Sequence, residues 1–579
     1  MSKDPKKLCN TINQHFATIG LKTAASCRQS AKFPYKSDQK KALKNLTNSL
    51  FLEAVTTSEV QSYIFTLKGG SAPGLDTYTV EMLKEIAEQI AIPLTHIFNL
   101  SLTLGKFPDK FKESKIIPLF KKGDPKLVTN YRPISLISNL AKVLEKIVKK
   151  RLTCFLEKYK ILSNNQYGFR KKVSTQNAVT DLITEILQEI DKGNKPILVL
   201  LDIEKAFDTI THGKLLKKME SIGVRGIALT WFSSYLRERK QLVEIECFFS
   251  DVITCNNGLP QGTVLSPCLF LLYVNELCNM EINGKIFSFA DDTALLVSDS
   301  NWEEAFKKAS TELSKIYYWL TENLLKMNIE KTNYITFSPT ITGQPTEKMQ
   351  VKIHDDILHP SCNNNQCDSC KILKRVTNTK YLGVILDQHL KWKDHIYSVN
   401  KKLRSMTYFF KIISKFASID FLKSVYYGLA QSLMQYCVSI WGCANDTHIS
   451  PLFTTQKYIL KIISHKPKRY PTDQLFQEIN VLSIKNLWRF ELIKYAVKNN
   501  KIKSEVSKYN TRSDEQLLIK NKKFNLELTN SSHVSLMIEE YNKLPLEYKQ
   551  LIANDLVSLP AVTKKIKKHY LSKNTKNSE

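Results

Sequence analysis

The chain has 579 residues, an ordinary apolar fraction of 43%, and 84 Lys and Arg against 55 Asp and Glu, a net charge of +29. That length holds several lobes with buried cores, and the positive excess suits phosphate backbones. No apolar run approaches the roughly 20 residues that span a bilayer, no signal-peptide core follows Met1, and most of the cysteines are scattered through apolar segments, which excludes membrane-spanning and secreted classes and leaves an intracellular binder of polyanions.

Residues 1–50, rich in Lys, Asn, Ser and Thr, are predicted to form a loosely ordered basic lead-in. Organisation begins near Phe51, and the breaker-rich loop Lys68–Asp76 precedes a helix predicted over 80–104. Short β-like segments follow in 115–138, flanked by Lys121, Lys122 and Arg132. A planar guanidinium suits bidentate phosphate contacts; the lysines fit either that role or a solvated face. Ala141, Leu144, Ile147, Val148, Leu152 and Phe155 trace one amphipathic helix. Gln166-Tyr-Gly-Phe-Arg170 and Ser174-Thr175 open a second, with the stripe Val179, Leu182, Ile183, Ile186, Leu187 and Ile190. Both stripes are read as core.

The central region carries acids in unusual company. Ile197–Ile203 is a continuous apolar run broken only by Asp202, the pattern of a buried strand with a carboxylate at its end. Val243 and Ile245 alternate with Glu244 and Glu246 as a hairpin strand. In the loop Gly258–Gly262, Gln261 offers a side-chain hydrogen bond and Gly262 permits close backbone approach; Ser266-Pro267 is a predicted N-cap and first-turn pair. Ile286–Ser298 then reads as two short strands around a tight hairpin bearing Asp291 and Asp292, predicted at a partly buried tip. Taken alone, adjacent aspartates at such a point read as a polar turn. Beside large apolar residues, however, two like charges repel unless a cation neutralises them, and hard oxygen ligands favour Mg²⁺. Ser300-x-x-Glu303 reads as a capping box before a helix burying Ala305, Phe306, Ala309, Leu313, Ile316 and Leu320.

Downstream, an insertion at about 340–375 contains Cys362, Cys367 and Cys370 with His354 and His359 nearby. Three cysteines and a histidine supply the donors of a tetrahedral Zn²⁺ site; spare thiols in a polar loop are the alternative. From Trp392 to Asn499 the chain reads as helical, basic and aromatic, with Tyr408, Phe409, Phe410, Phe416, Tyr426, Tyr427 and Trp441 interleaved with lysines, most of them expected in the core. The last twenty residues form a Lys-rich arm.

Leu201-Asp-Ile-Glu-Lys-Ala-Phe-Asp-Thr209, Gly258-Leu-Pro-Gln-Gly-Thr-Val-Leu-Ser-Pro267 and Phe289-Ala-Asp-Asp-Thr293 stand in the order and spacing of three reverse transcriptase motifs. Ser71-Ala-Pro-Gly-Leu-Asp76, Asn130-Tyr-Arg-Pro-Ile-Ser135, Lys380-Tyr-Leu-Gly-Val-Ile-Leu-Asp387, Gln435–Gly442 and Tyr541-Asn-Lys-Leu-Pro545 narrow the resemblance to the non-LTR, LINE-type, jockey-like enzymes. The resemblance implies an α+β right-hand polymerase: a palm with a small antiparallel sheet, fingers, a helical thumb and a helical C-terminal region. The implied divisions are 51–390 for fingers and palm, 391–500 for thumb and post-polymerase region, and 501–579 for a C-terminal helical segment and tail. It implies an RNA-directed DNA polymerase acting on an RNA template, a DNA primer and dNTPs. Asp202, Asp291, Asp292 and the Ile203 carbonyl would hold two Mg²⁺ ions, with Mn²⁺ as a substitute. Arg132, Lys121, Gln261 and Gly262 would receive the nucleotide, Phe207 would gate its sugar, and Lys331 is a candidate proton donor or a surface lysine. A catalytically inactive or host-adopted polymerase-fold RNA-binding protein is the alternative. Strand nicking is expected from another domain or protein, and target-primed synthesis would imply at least transient nuclear access.

Overall fold

The computed structural model describes residues 4–30, 48–354, 370–499, 517, 519, 525–554 and 557–573. The first departure from the sequence reading comes at once. Where a loosely ordered lead-in was expected, Pro5–Ser30 is a helix, α1. Its Cys9, Ile12, Phe16, Ala24 and Cys27 are buried at helical spacing, and Asn13 donates to Ser250 Oγ (2.9 Å) and the Asp251 carbonyl (2.8 Å). The helix is stable because it docks, which a Lys- and Thr-rich composition conceals. The helix expected over 80–104 is divided by a turn at Ile86 into Val80–Glu85 and Ala87–Leu104.

Strands β1 (Glu113–Phe120) and β2 (Tyr131–Ile137) pair antiparallel, and β1 also pairs in parallel with β4 (Arg239–Ile245). Helices α2 (Asn139–Lys158) and α3 (Thr175–Asp191) bury both predicted stripes in full. β3 (Lys195–Leu201) is the middle strand of a five-stranded sheet. It pairs antiparallel with β6 (Asp292–Asp299), which pairs with β5 (Lys285–Phe289), and on its other side with β7 (Asn333–Thr336). These four strands make the small antiparallel sheet that was expected, and a short edge strand, β8 (Lys374–Arg375), adds to β7 in parallel.

Both sheet faces are covered, which explains the unbroken apolar run of β3. Ile197, Val199 and Leu201 face one large core with Leu295, Val297 and helix α5 (Trp302–Glu322), whereas Leu198 faces a second core with Ala294, Leu296, Ile335 and α3. Every buried Leu or Ile contributes roughly 1.5–3 kcal/mol, so a one-residue slip of β3 would exchange two sets of such contacts and is strongly opposed. Two predicted caps are displaced. The α5 cap is Asn301, whose side chain accepts from the Glu304 amide, and Ser300 instead turns to Asp299. Helix α4 (Ser266–Cys278) takes Ser266 inside its first turn, with Leu265 at the cap position and no side-chain cap.

After the sheet, Asn378–Tyr381 and Val384–Asp387 form an antiparallel hairpin, followed by helices that include Lys393–Ile413, Asp446–Ile463 and Ile484–Lys498. Phe410, Tyr426 and Trp441 are core as expected, but Tyr408, Phe409 and Phe416 are exposed, Phe416 at 86%. The described residues thus form a mixed α/β fold with no helix long and apolar enough to cross a membrane.

Candidate active site

β3 and the β5–β6 hairpin run side by side and end together. Leu201 lies opposite Thr293, so the next residues, Asp202 and Asp292, leave the ladder as neighbours. Phe289 pairs with Asp292 around a two-residue loop of Ala290 and Asp291, and Ala290 takes the left-handed conformation (φ 60°). Asp202 is anchored through its backbone, its amide donating to the buried Thr332 Oγ1 (3.2 Å) and its carbonyl accepting from Asn328 (2.8 Å). Since position 202·328 is the hydrogen-bonded one in this antiparallel pair, the Ile203 carbonyl faces away from the strand 326–327.

The hairpin tip is more open than expected, with Asp291 and Asp292 both exposed. The protein around Asp292 is nonetheless dense, and burial, then the charges of Asp291 and Asp202, push its carboxyl up. Burial also raises Asp202, against the pull of Lys331 and Lys121. A divalent cation would relieve this clustering of negative charge. Among the described residues no three His, Cys, Asp or Glu side chains are spaced to cage a metal by themselves. Two carboxylates, a backbone carbonyl and substrate phosphates suit Mg²⁺, which keeps water and phosphate ligands and seldom takes an all-protein cage.

Positive charge meets the acids from three elements. Lys121 follows β1, Arg132 is on β2 opposite Leu119, and Lys331 precedes β7; all three are exposed. Burial, then Arg132 and Lys331, push the Lys121 ammonium down, while Asp202 pulls it up, so these groups share one field.

The loop at 258–262 is fastened to that field at several points. Leu259 and Gly258 donate to the carbonyls of Phe207 and Ile210 (both 2.8 Å), and the Gln261 carbonyl accepts from Ser135 on β2 (2.7 Å). Gln261 Nε2 donates to Asp208 Oδ1 (2.9 Å). Gly262 has φ 107° and lies so near Ser135 that a Cβ would stand 3.0 Å from its carbonyl oxygen, which is why glycine is required there. Phe207 is half-buried, stacked on Phe270 with centroids 4.5 Å apart.

Two acids that the sequence reading passed over serve this loop. Asp208 holds Gln261, and burial pushes its carboxyl up against that hydrogen bond. Glu145, fully buried on α2, accepts from the amides of Val264 (2.6 Å) and Leu265 (3.1 Å) and from Tyr235 Oη (3.1 Å). It caps α4 from another helix, which is why Ser266 does not. A signal existed: Glu145 falls among Leu144, Val148 and Ala141 on the apolar face of α2. For the zinc reading, Cys362, Cys367 and His359 lie outside the described residues, whereas His354 Nδ1 stands 3.3 Å from Cys370 Sγ.

Residues 120–386, which take in these acids, lysines and loop, match the family model described as "Reverse transcriptase (RNA-dependent DNA polymerase)". Those residues, 267 of the 579, are similar to that family. The chain is 26% identical over 487 residues to the RNA-directed DNA polymerase from mobile element jockey of Drosophila melanogaster, covering 82% of this chain and 50% of that protein. It is 25% identical over 453 residues to the probable RNA-directed DNA polymerase from transposon BS of the same species, covering 76% and 48%. For the probable enzyme from transposon X-element the figures are 26% over 415 residues, 70% and 43%. The chain therefore spans about half the length of these relatives. In all three, the match is longer than the stretch 120–386 that the family model covers.

Proposed function

We propose that this chain is the RNA-directed DNA polymerase of a non-LTR, jockey-like retrotransposon, extending a DNA primer on an RNA template. The observation that carries the reading is the meeting of Asp202 with the Asp291–Asp292 hairpin under a field shared by Lys121, Arg132 and Lys331. Asp202, Asp292 and the Ile203 carbonyl, supported by Asp291, would hold two Mg²⁺ ions, which when bound activate the primer 3′-hydroxyl and neutralise charge on the triphosphate.

The protein's own groups do the rest. Arg132 and Lys121 bind the triphosphate by charge-assisted hydrogen bonds. Gln261 and Gly262 shape the floor on which the nucleotide rests, held by Asp208 and Ser135. Phe207 lies under the sugar, and Lys331 gives a proton to the departing pyrophosphate. Base pairing, not a side chain, reads the template. In this reading 51–390 are fingers and palm, with β3 and β5–β7 as the palm sheet, and the helices of 391–500 are a thumb.

The test is primer extension with RNA and DNA templates, each with dNTPs and then rNTPs. Extension is expected on RNA with dNTPs and is abolished by Asp292→Asn, while duplex binding is retained. Substantial synthesis by Asp292→Asn sinks the assignment of the carboxylates, and synthesis from rNTPs alone points to an RNA polymerase.

A further inference from the structure

The hairpin rests on Gln166-Tyr-Gly-Phe-Arg170, a segment that resembles a further reverse transcriptase motif, of the fingers, and that has no part in the chemistry proposed above. Asn165–Phe169 runs beneath the tip: Ser288 donates to the Asn165 carbonyl (2.9 Å), its own carbonyl accepts from Tyr167 (2.8 Å), and Gln166 and Ser288 form a parallel bridge. Gln166 is completely buried. Its Oε1 accepts from the amides of Gly168 (2.8 Å) and Ala290 (3.1 Å), and its Nε2 donates to Ser288 Oγ (3.0 Å). Two backbone N–H donors on one atom fix which end of the amide is oxygen.

Ala290 is the residue that makes this arrangement consequential. It is the first of the two hairpin-loop residues, and of the two only it has positive φ, the pattern of a type II′ turn, where glycine is preferred. A Cβ in the left-handed region costs about 1 kcal/mol or more, and the chain tolerates it immediately before Asp291 and Asp292. The Ala290 amide would otherwise be a buried donor without an acceptor. Gly168 comes so close that a Cβ there would lie 2.5 Å from the Ala290 nitrogen. Ser288 Oγ completes the bracket by donating to the Ala290 carbonyl (3.2 Å).

We propose that Gln166 is a positioning residue for catalysis: its side-chain amide holds the strained Ala290 turn and thereby fixes where the Asp291 and Asp292 carboxylates stand. The proposal rests on the polymerase reading but concerns a different link, the aim of the hairpin and not its chemistry. Since the loop at 258–262 is fastened separately, at Gln261 through Asp208 and Ser135 and just beyond it at Val264 and Leu265 through Glu145, loss of the Gln166 bracket acts on turnover and not on nucleotide affinity.

The test compares the full chain with Gln166→Met, which removes both the acceptor and the donor at similar volume, and Gln166→Glu, which keeps an acceptor. Steady-state extension on an RNA template gives kcat and the dNTP KM, and hydrogen exchange of the segment 286–292 reports the turn without reference to activity. Gln166→Met is expected to lower kcat roughly ten- to hundredfold, the scale of a misplacement of about 1 Å, with KM within about twofold, while 286–292 exchange faster and the helix Lys393–Ile413 does not. Gln166→Glu should recover part of kcat. Should Gln166→Met fail to fold, Gly168→Ala presses on the Ala290 nitrogen from the same segment and should give the same split. Unchanged kcat, a shift confined to KM, or unaltered exchange at 286–292 in a folded variant overturns the proposal. If the unmutated chain extends nothing, the polymerase reading falls, and the exchange comparison still decides whether Gln166 holds the turn.

Discussion

Phe207 illustrates how one side chain can serve packing and selection together. Its ring lies nearly parallel to Phe270, with an interplanar angle of 17°, and only part of it is buried. Phe207→Ala therefore removes a real packing contact, expected to cost about 2 kcal/mol, below the 3–5 of a fully buried Phe. If the open edge lies under the sugar, the same variant admits ribonucleotides. Melting temperature and dNTP-over-rNTP preference, measured on one preparation, separate the roles: a lower melting temperature with unchanged preference assigns Phe207 to packing alone. Glu145 poses the opposite case, a charge where the stripe calls for an aliphatic residue. Gln at 145 keeps one acceptor oxygen for three donors, and an unsatisfied buried partner costs about 1–3 kcal/mol. Glu145→Gln should lower the melting temperature and, if the loop 258–262 receives the nucleotide as proposed, raise the dNTP KM, because the amides it releases are at Val264 and Leu265, directly after that loop. An unaltered KM would detach Glu145 from that loop.

At the level of elements, α3 is tied to β6, the strand that carries Asp292, by an acid at its far end. Burial opposes ionisation of Glu189, but hydrogen bonds from Lys192, Ser298 and Asn194 win and hold its carboxyl down at about 2. A carboxyl lowered from an ordinary value of about 4.3 contributes stability that is present above that value and lost as pH falls toward 2. Wild type should lose up to about 3 kcal/mol across this window, and Glu189→Gln should flatten that acid limb; denaturant unfolding at pH 6 and pH 3 measures the difference. The elements also show what could be read in advance. The β3 run, the hairpin and the stripes of α2 and α3 were legible because burial on a sheet or helix face imposes a period on the sequence. Helix α1 was not, since its buried positions include small and polar residues such as Ala24, Cys27 and Asn13, and its partner strands lie more than two hundred residues away. The cap of α4 was misplaced for a related reason, since Glu145 satisfies it from another helix and no local pattern reports a distant acceptor, whereas the α5 cap lies one residue on, at Asn301, an equally good capping side chain. Asp202, Asp291 and Asp292 stood out as acids against apolar runs, whereas Gln166 carries no charge, and only its contacts reveal its position under the turn.

Across the whole molecule, a net charge of +29 faces any duplex that the chain grips. If six to ten phosphates are neutralised, binding should weaken by about 10³–10⁵ between 50 and 200 mM salt. A titration of duplex binding against salt at fixed pH checks this, and a flat response would mean that the excess charge is spread over surfaces the nucleic acid never meets. The docking of α1 has a consequence in time. Asn10 and Asn13 bind Asp251 and Ser250, 241 and 237 residues later, and a Cβ on Gly20 would stand 1.9 Å from the Asp208 carbonyl oxygen, so the fit is close. At a synthesis rate of roughly 5–20 residues per second, about ten to fifty seconds separate α1 from its binding surface on the ribosome. Through that interval Ile12 and Phe16 lack Val243 and Ile245, which complete the core they share with Ile116. A helix that is stable because it docks therefore stays marginal until residues 239–255 are made, and its few apolar side chains are open to chaperones meanwhile.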